Sequence, residues 1–305
     1  MSIRVVFLGT SGSVPTLKRS LPSVVVQCPR ELWMFDCGEG TQRQMMQNKI
    51  SFHKKLKVFI THLHGDHVLG LPGVLQTMAL MDRKEPVEVY GPVGIRDFLQ
   101  CTKDTLKFGL TFPVEISEIL TEAAVCNQED YMVQAVKSNH AIDGFCFALV
   151  EKPRAGKFYP KKAKALGIPA GELWSQLQKG EEIQVDGKTV KPSDVMGPLR
   201  VGRKIVYTGD TKPFEAFAKF AKDADLVIHD CTFADDLAEK AGVDGHATPS
   251  QAGSQAKAAN AKCLVLFHIS ARYSDASVLL EQAKKIFANA VLAQDGLVLE
   301  LPLSE

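Results

Sequence analysis

An α/β fold of stacked sheets covered by helices is what this chain predicts, and three observations carry that expectation. Short apolar runs of strand length recur along the sequence, stretches with helical spacing fall between them, and loops rich in His and Asp follow directly after several of the runs. At 305 residues with 45% hydrophobic content, the chain can bury a sizeable core as one large domain or two modest ones.

In order, the strand-like runs are Val5 to Leu8, Ser23 to Val26, Leu32 to Phe35, Val58 to Ile60, Val87 to Tyr90, Met132 to Val136 and Phe145 to Val150. The texture returns with Ile205 to Tyr207, Leu226 to Ile228, Leu264 to Phe267 and Val291 to Leu292, separated by helical stretches at 213–222, 249–260 and 275–286. No internal repeat or low-complexity tract interrupts the series. From Glu151 to Pro198 the rhythm breaks, with prolines at 153, 160, 169, 192 and 198, and the segment 151–198 is expected to be an arm inserted into a single domain spanning 1–305. Between Lys152 and Lys164 it holds six basic residues, no acidic one and the pair Phe158-Tyr159. That composition suits a solvated face, and equally a surface that contacts a phosphate backbone.

Thirty-six basic residues against thirty-five acidic ones give a formal charge of +1, so any anionic partner must be attracted by local patches. The seven cysteines are odd in number and never spaced as CxxC, which argues against a disulfide framework and against a Cys-rich zinc module. The apolar run Ile3 to Leu8 is too short for a secretory signal or a membrane span. A cytoplasmic protein without membrane association is the expectation.

The densest chemistry lies in Thr61-His62-Leu63-His64-Gly65-Asp66-His67, directly after the run ending at Ile60. Residues at i and i+2 of a strand share a face, so His62 and His64 project together before Gly65 turns the chain and Asp66 and His67 follow. Three imidazoles and a carboxylate this close, in a chain with only eight histidines, predict a metal site. Candidates to complete it also sit just past apolar runs: His140 after Met132 to Val136, Asp210 after Ile205 to Gly209, and His268 after Leu264 to Phe267.

These segments resemble the motifs of the metallo-β-lactamase superfamily, and within it the chain is similar to the ribonuclease Z family of tRNA 3′-processing endonucleases. The narrower resemblance rests on Phe7 to Gly12, on Phe35-Asp36-Cys37-Gly38-Glu39-Gly40-Thr41-Gln42, on Tyr207 to Pro213, on His246-Ala247-Thr248 and on the stretch from Gly156 to Pro198. It implies a four-layer αβ/βα sandwich with an inserted flexible arm and the metals at one edge of two packed sheets. By the same resemblance His62, His64 and His140 hold one ion, Asp66, His67 and His268 a second, and Asp210 bridges them. Five imidazoles and two carboxylates suit Zn²⁺, two per chain, while Mn²⁺ or Fe accepts the same ligands.

The activity implied is hydrolytic removal of the 3′ trailer of precursor tRNA by two-metal activation of water. Asp66 is expected both to ligate and to accept a hydrogen bond from the attacking group, and His246 to act as general acid, oriented by Asp230. The basic arm is expected to bind tRNA without reading its sequence, and the family's homodimers, in which one subunit's arm serves the other's active site, are expected here too. Two departures stand out. Where the family often shows P-x-K-x-R-N, this chain reads Pro15-Thr16-Leu17-Lys18-Arg19-Ser20, and His229-Asp230-Cys231-Thr232 carries Asp where the family has Glu. The competing readings are another phosphodiesterase on the same fold, for which the arm is an irrelevant insertion, and a non-catalytic metal- or RNA-binding scaffold; a thiolesterase or lactamase needs neither the arm nor the His246 motif.

Overall fold

The computed structural model describes residues 3–303. Its first sheet is built from β1 (Ile3–Gly9), β3 (Ser23–Gln27), β4 (Glu31–Phe35), β5 (Lys55–Phe59), β6 (Val87–Pro92), β7 (Val114–Ile119) and β18 (Val298–Leu301), in the order β18-β1-β3-β4-β5-β6-β7. The second contains β8 (Ala123–Asn127), β9 (Tyr131–Lys137), β10 (Phe145–Glu151), β13 (Lys204–Tyr207), β14 (Leu226–Asp230), β15 (Leu264–Phe267) and β17 (Ala290–Leu292), in the order β17-β15-β14-β13-β10-β9-β8. Strands β4 to β7 run parallel, as do β13, β14, β15 and β17; the remaining neighbours in each sheet are antiparallel. A short parallel pair, β2 (Ser11–Gly12) with β16 (Ile269–Ser270), links the two halves beside the parallel strand ends.

The two-residue period of a strand sorts its side chains into layers. Trp33 and Phe35 of β4 join Phe59, Phe147, Tyr207 and Phe267 in a core between the sheets. Leu32 and Met34 face the other way, onto α1 (Thr41–Gln47), α3 (Gly70–Leu80) and α4 (Ile95–Leu106). On the far side, Val206, Val227 and Leu266 pack beneath α8 (Phe217–Phe220), α10 (Pro249–Ala258) and α11 (Ser277–Ile286). Four layers result, each inner sheet covered on both faces, which explains why the strands read as continuous apolar runs. Each such fully buried large side chain stabilises by roughly 1.5–3 kcal/mol.

The structure also contains strands absent from the sequence reading. In Val114–Ile119 and Ala123–Asn127 half or more of the side chains meet solvent, and Val298–Leu301 places one glutamate between two leucines at a sheet edge, so none forms a continuous apolar run. The helical stretch expected at 213–222 shortens to Phe217–Phe220. Within 151–198 the inserted segment is a small folded unit with a core of its own. Helices α5 (Pro160–Ala165), α6 (Glu172–Gln178) and α7 (Pro192–Val195) and the hairpin β11 (Ile183–Val185) with β12 (Lys188–Val190) enclose Ala163, Ile168, Leu177, Ile183, Val190 and Val195. Elements of three to seven residues are too short to show a period in sequence. Two backbone bridges, Arg154 with Arg200 and Phe158 with Met196, form the stalk, and at its base the Arg203 guanidinium grips both carboxylate oxygens of Glu151 at 2.7 and 2.6 Å.

Candidate metal centre

The candidate ligands named from sequence lie just past strands, all but His140 after parallel ones. His62, His64, Asp66 and His67 follow β5, with the last two on the one-turn helix α2 (Gly65–Val68); Asp210 follows β13 and His268 follows β15. His140 comes from the loop after β9. Ligand atoms of His62, His64, His140 and Asp210 form one group within 4.8 Å of one another, and those of Asp66, His67 and His268 form a second. Asp210 touches both. Its Oδ2 lies 3.7 Å from His62 Nε2 and 4.0 Å from His140 Nε2, and its Oδ1 lies 3.3 Å from His67 Nε2 and 3.2 Å from His268 Nε2. Asp66 Oδ2 stands 3.5 Å from His67 Nε2 and 3.4 Å from His268 Nε2 while accepting the Ser13 N–H at 2.8 Å.

The outward-facing ring nitrogens fix which nitrogen points in. His67 Nδ1 donates to Asp36 at 2.7 Å, His140 Nδ1 to the Gly245 carbonyl at 2.8 Å, His62 Nδ1 to Thr61 Oγ1 at 2.9 Å and His268 Nδ1 to Thr232 Oγ1 at 2.8 Å. With those protons placed outward, the Nε2 atoms carry lone pairs toward the centre. His62 Nε2 and His140 Nε2 then crowd His64 Nδ1 at 3.0 and 3.2 Å, an arrangement that one ring hydrogen cannot satisfy. The Asp210 Oδ1 atom is buried and has no hydrogen-bond partner. Converging lone pairs around an unpartnered carboxylate oxygen fit a divalent cation on each side of Asp210.

The electrostatics agree with that donor set. Burial, then the charge of His67, lowers the His62 pKa well below the usual imidazole value, and burial with His140 lowers that of His64, so both favour the neutral, ligand-competent ring. Burial alone would raise the Asp210 and Asp66 pKa values, but the surrounding imidazoles hold both carboxyls below their ordinary range. His67 is buried too, yet Asp210 and Asp36 raise its pKa well above normal: these carboxylates call for positive charge there.

Next to the second group stands His246, 8% exposed. Its Nδ1 meets Asp230 Oδ2 at 2.8 Å, and although burial works against the charged ring, that carboxylate raises its pKa to about 9. Asp230 lies close enough to be counted among possible ligands, but its oxygens are committed: Oδ2 also accepts the Thr211 N–H at 3.1 Å, and Oδ1 accepts the Thr232 N–H and hydroxyl at 3.0 and 2.7 Å. Thr248 caps α10 in a capping box with Gln251. Arg19 is turned inward, donating to Thr10 Oγ1 and to the Ala293 carbonyl at 2.7 and 2.6 Å, so it anchors its loop while Leu17 and Lys18 are exposed.

Sequence reading missed the supporting partners. Asp36, fully buried, accepts hydrogen bonds from the Thr61 N–H and hydroxyl, from His67 and from the Tyr207 hydroxyl, tying three strand ends together. The available signal was a lone acid after the apolar strand Glu31–Phe35. Asp36 and His268 hold φ of 55° and 60°, left-handed conformations that cost non-glycine residues about 1–3 kcal/mol and gather at functional sites. Gly209, at φ 58°, is required for a second reason, since a Cβ there would meet Thr61 at 2.7 Å.

Comparison with known proteins agrees with this architecture. Residues 175–269 match the model of the beta-lactamase superfamily domain, and residues 3–154 match that of the anti-Pycsar protein Apyc1. Ribonuclease Z of Methanosarcina acetivorans is 44% identical over 301 residues, covering 98% of either chain. The Myxococcus xanthus enzyme of the same name is 43% identical over 306 residues, 99% of each. Human tRNase Z, short form, superposes with a TM-score of 0.73 at 31% identity, covering 98% of this chain and 100% of that one. With identity at this level sustained over the whole length, the chain belongs to the ribonuclease Z family of the metallo-β-lactamase fold.

Proposed function

We propose that the chain is a metal-dependent endoribonuclease that removes the 3′ trailer from precursor tRNA and leaves a 3′-hydroxyl on the tRNA. The observation that carries this reading is one constellation: two imidazole-carboxylate groups joined through Asp210, with the Asp230-oriented His246 at their edge. The relatives' name supplies the substrate. His62, His64 and His140 would hold one ion and Asp66, His67 and His268 the other, with Asp210 within reach of both. Zn²⁺ is the resident metal, the donors being imidazole and carboxylate; Mn²⁺ or Fe takes the same set.

Bound there, two such ions would lower the pKa of water toward neutrality and would offset charge on the phosphoryl oxygens. Asp66, fixed by the Ser13 N–H, accepts a hydrogen bond from the attacking water and keeps it in line with the leaving oxygen. Attack at phosphorus breaks the bond to the 3′-oxygen of the tRNA, and the phosphate stays on the trailer. His246 has Nδ1 committed to Asp230, so Nε2 delivers the proton to that 3′-oxygen. The arm, residues 151–198, binds the tRNA through its basic face, with Lys157, Lys161 and Lys164 exposed.

The enzyme works as a homodimer, a reading supported by Met46, Leu69, Leu80 and Met81, apolar residues 42–87% exposed on α1 and around α3. Seven free cysteines support a reducing, cytoplasmic setting, and no helix among the described residues is long and apolar enough to cross a membrane. The deciding experiment incubates the purified, metal-loaded protein with a 3′-extended precursor tRNA and maps both new ends, with Asp66→Ala as control. Cleavage near the discriminator base giving a 3′-hydroxyl is expected. A 3′-phosphate end, no cleavage, or undiminished cleavage by the variant overturns the reading.

A further inference from the structure

At the pole of the sandwich opposite the metal centre, a cavity of about 540 Å³ opens at the root of the arm. The metal-centre residues follow the C-terminal ends of β5, β13 and β15, whereas this cavity is lined from the N-terminal ends of β4 and β13, by Glu31, Trp33 and Arg203, and from Tyr131, Glu151 and Arg154 around them. Several of its polar groups are satisfied within the protein. Glu151 holds Arg203 through both oxygens, and the Tyr131 hydroxyl donates to Glu31 at 3.1 Å.

Arg154 differs: its Nε and Nη2 are buried and without a hydrogen-bond partner. These two atoms form the guanidinium edge that matches a pair of oxygens on one phosphate or carboxylate. A third donor lies in the same lining: the indole N–H of Trp33, a residue 2% exposed, has no hydrogen-bond partner, its ring packing edge-on against Tyr131 with centroids 4.6 Å apart. Among the described lining residues, the buried side-chain atoms left unpartnered are all donors, and none is an acceptor. What complements them is an oxyanion. Its carrier is small, because the cavity holds only about 540 Å³ and the acids Glu129 and Asp130 at its lining offset Arg30 and Lys152, leaving no basic track for an extended polyanion.

We propose that this cavity is a binding site for a small molecule bearing a phosphate or carboxylate group, held by the Arg154 fork with the Trp33 N–H as third donor. Arg154 lies on the stalk, its backbone paired with Arg200, so an occupant ties the root of the arm to strand β4 of the first sheet. The site is separate from the metal centre and does not depend on the tRNA reading.

The chain has two tryptophans, so Trp174→Phe leaves Trp33 as the only one and makes it a reporter. Full-length, metal-loaded W174F is titrated with inorganic phosphate, with succinate and with chloride at constant ionic strength while indole fluorescence is followed. A saturable change with phosphate, succinate or both, but not with chloride, is expected, and which of the two acts names the headgroup. Adding Arg154→Gln should weaken that binding roughly tenfold or more, with Arg154→Lys intermediate, because charged hydrogen bonds are lost. In parallel, the melting temperature of the unsubstituted protein should rise with the active oxyanion and that of R154Q should not, a comparison that stands even if W174F folds poorly. No response to either oxyanion, an equal response to chloride, or undiminished binding by R154Q overturns the proposal.

Discussion

Replacing Asp230 with asparagine tests the catalytic geometry with almost no change in shape. Each carboxylate oxygen accepts two hydrogen bonds, Oδ1 from the Thr232 N–H and hydroxyl and Oδ2 from the Thr211 N–H and His246. Whichever way the amide is placed, its NH₂ faces a backbone N–H that cannot turn away, plus one further donor. With two buried groups left unsatisfied at about 1–3 kcal/mol each, the fold loses on the order of 2–6 kcal/mol. His246 also loses the carboxylate that keeps it protonated against its burial. Protonation is the state a general acid needs, so the alkaline limb of the pH–rate profile should move to lower pH. Cleavage of a 3′-extended precursor tRNA under single turnover should fall by about 10²–10⁴, the usual worth of a positioned acid, with metal content and substrate KM unchanged. Asp230→Asn combined with His246→Ala should be little slower than His246→Ala alone. Wild-type cleavage by Asp230→Asn at full metal content, or strictly additive losses in the double variant, would refute the coupling.

Other outcomes follow from neighbouring features. Asp36→Ala removes the acceptor shared by His67, Thr61 and Tyr207, and metal affinity measured by competition with a chelator should drop about 10–100-fold. Excising residues 157–196 and joining Gly156 to Gly197, whose backbones already touch, should leave hydrolysis of a small phosphodiester intact while precursor tRNA binding weakens; equal loss on both substrates would mean that the arm supports the fold. Burial acts to raise the Glu151 pKa, but its bonds to Arg203 lower it below the ordinary value. The stabilisation is therefore complete above the unfolded-state pKa of about 4.3 and disappears as pH falls through the lower folded value. Glu151→Gln should flatten that part of the acid-stability curve, and an unchanged curve would remove the clamp from the account.

Legibility in the sequence followed burial and length. Strands covered on both faces, such as Ser23–Gln27 and Leu264–Phe267, announced themselves as apolar runs, whereas Val114–Ile119 and Val298–Leu301 at sheet edges did not. The candidate ligand histidines were readable because they sit in loops just past strands, and the structure brings all of them together. Asp36 and Thr232 were not singled out, because an acceptor that orients a ring is recognised only when the ring is seen to reach it. The arm's own core escaped for a different reason: its helices contribute one buried residue each, too few to mark a face.

The position of the arm in the chain divides the centre in a way that bears on assembly. His62, His64, Asp66, His67 and His140 all precede it, while Asp210, Asp230, His246 and His268 all follow, and the second sheet is itself split between β10 and β13. A polypeptide severed within the arm therefore yields two fragments, neither of which holds both Asp210 and the full set of candidate imidazoles. Full metal uptake by such a pair becomes a record of their reassociation, so the centre doubles as an internal gauge of whether the two halves of the sandwich have closed on each other.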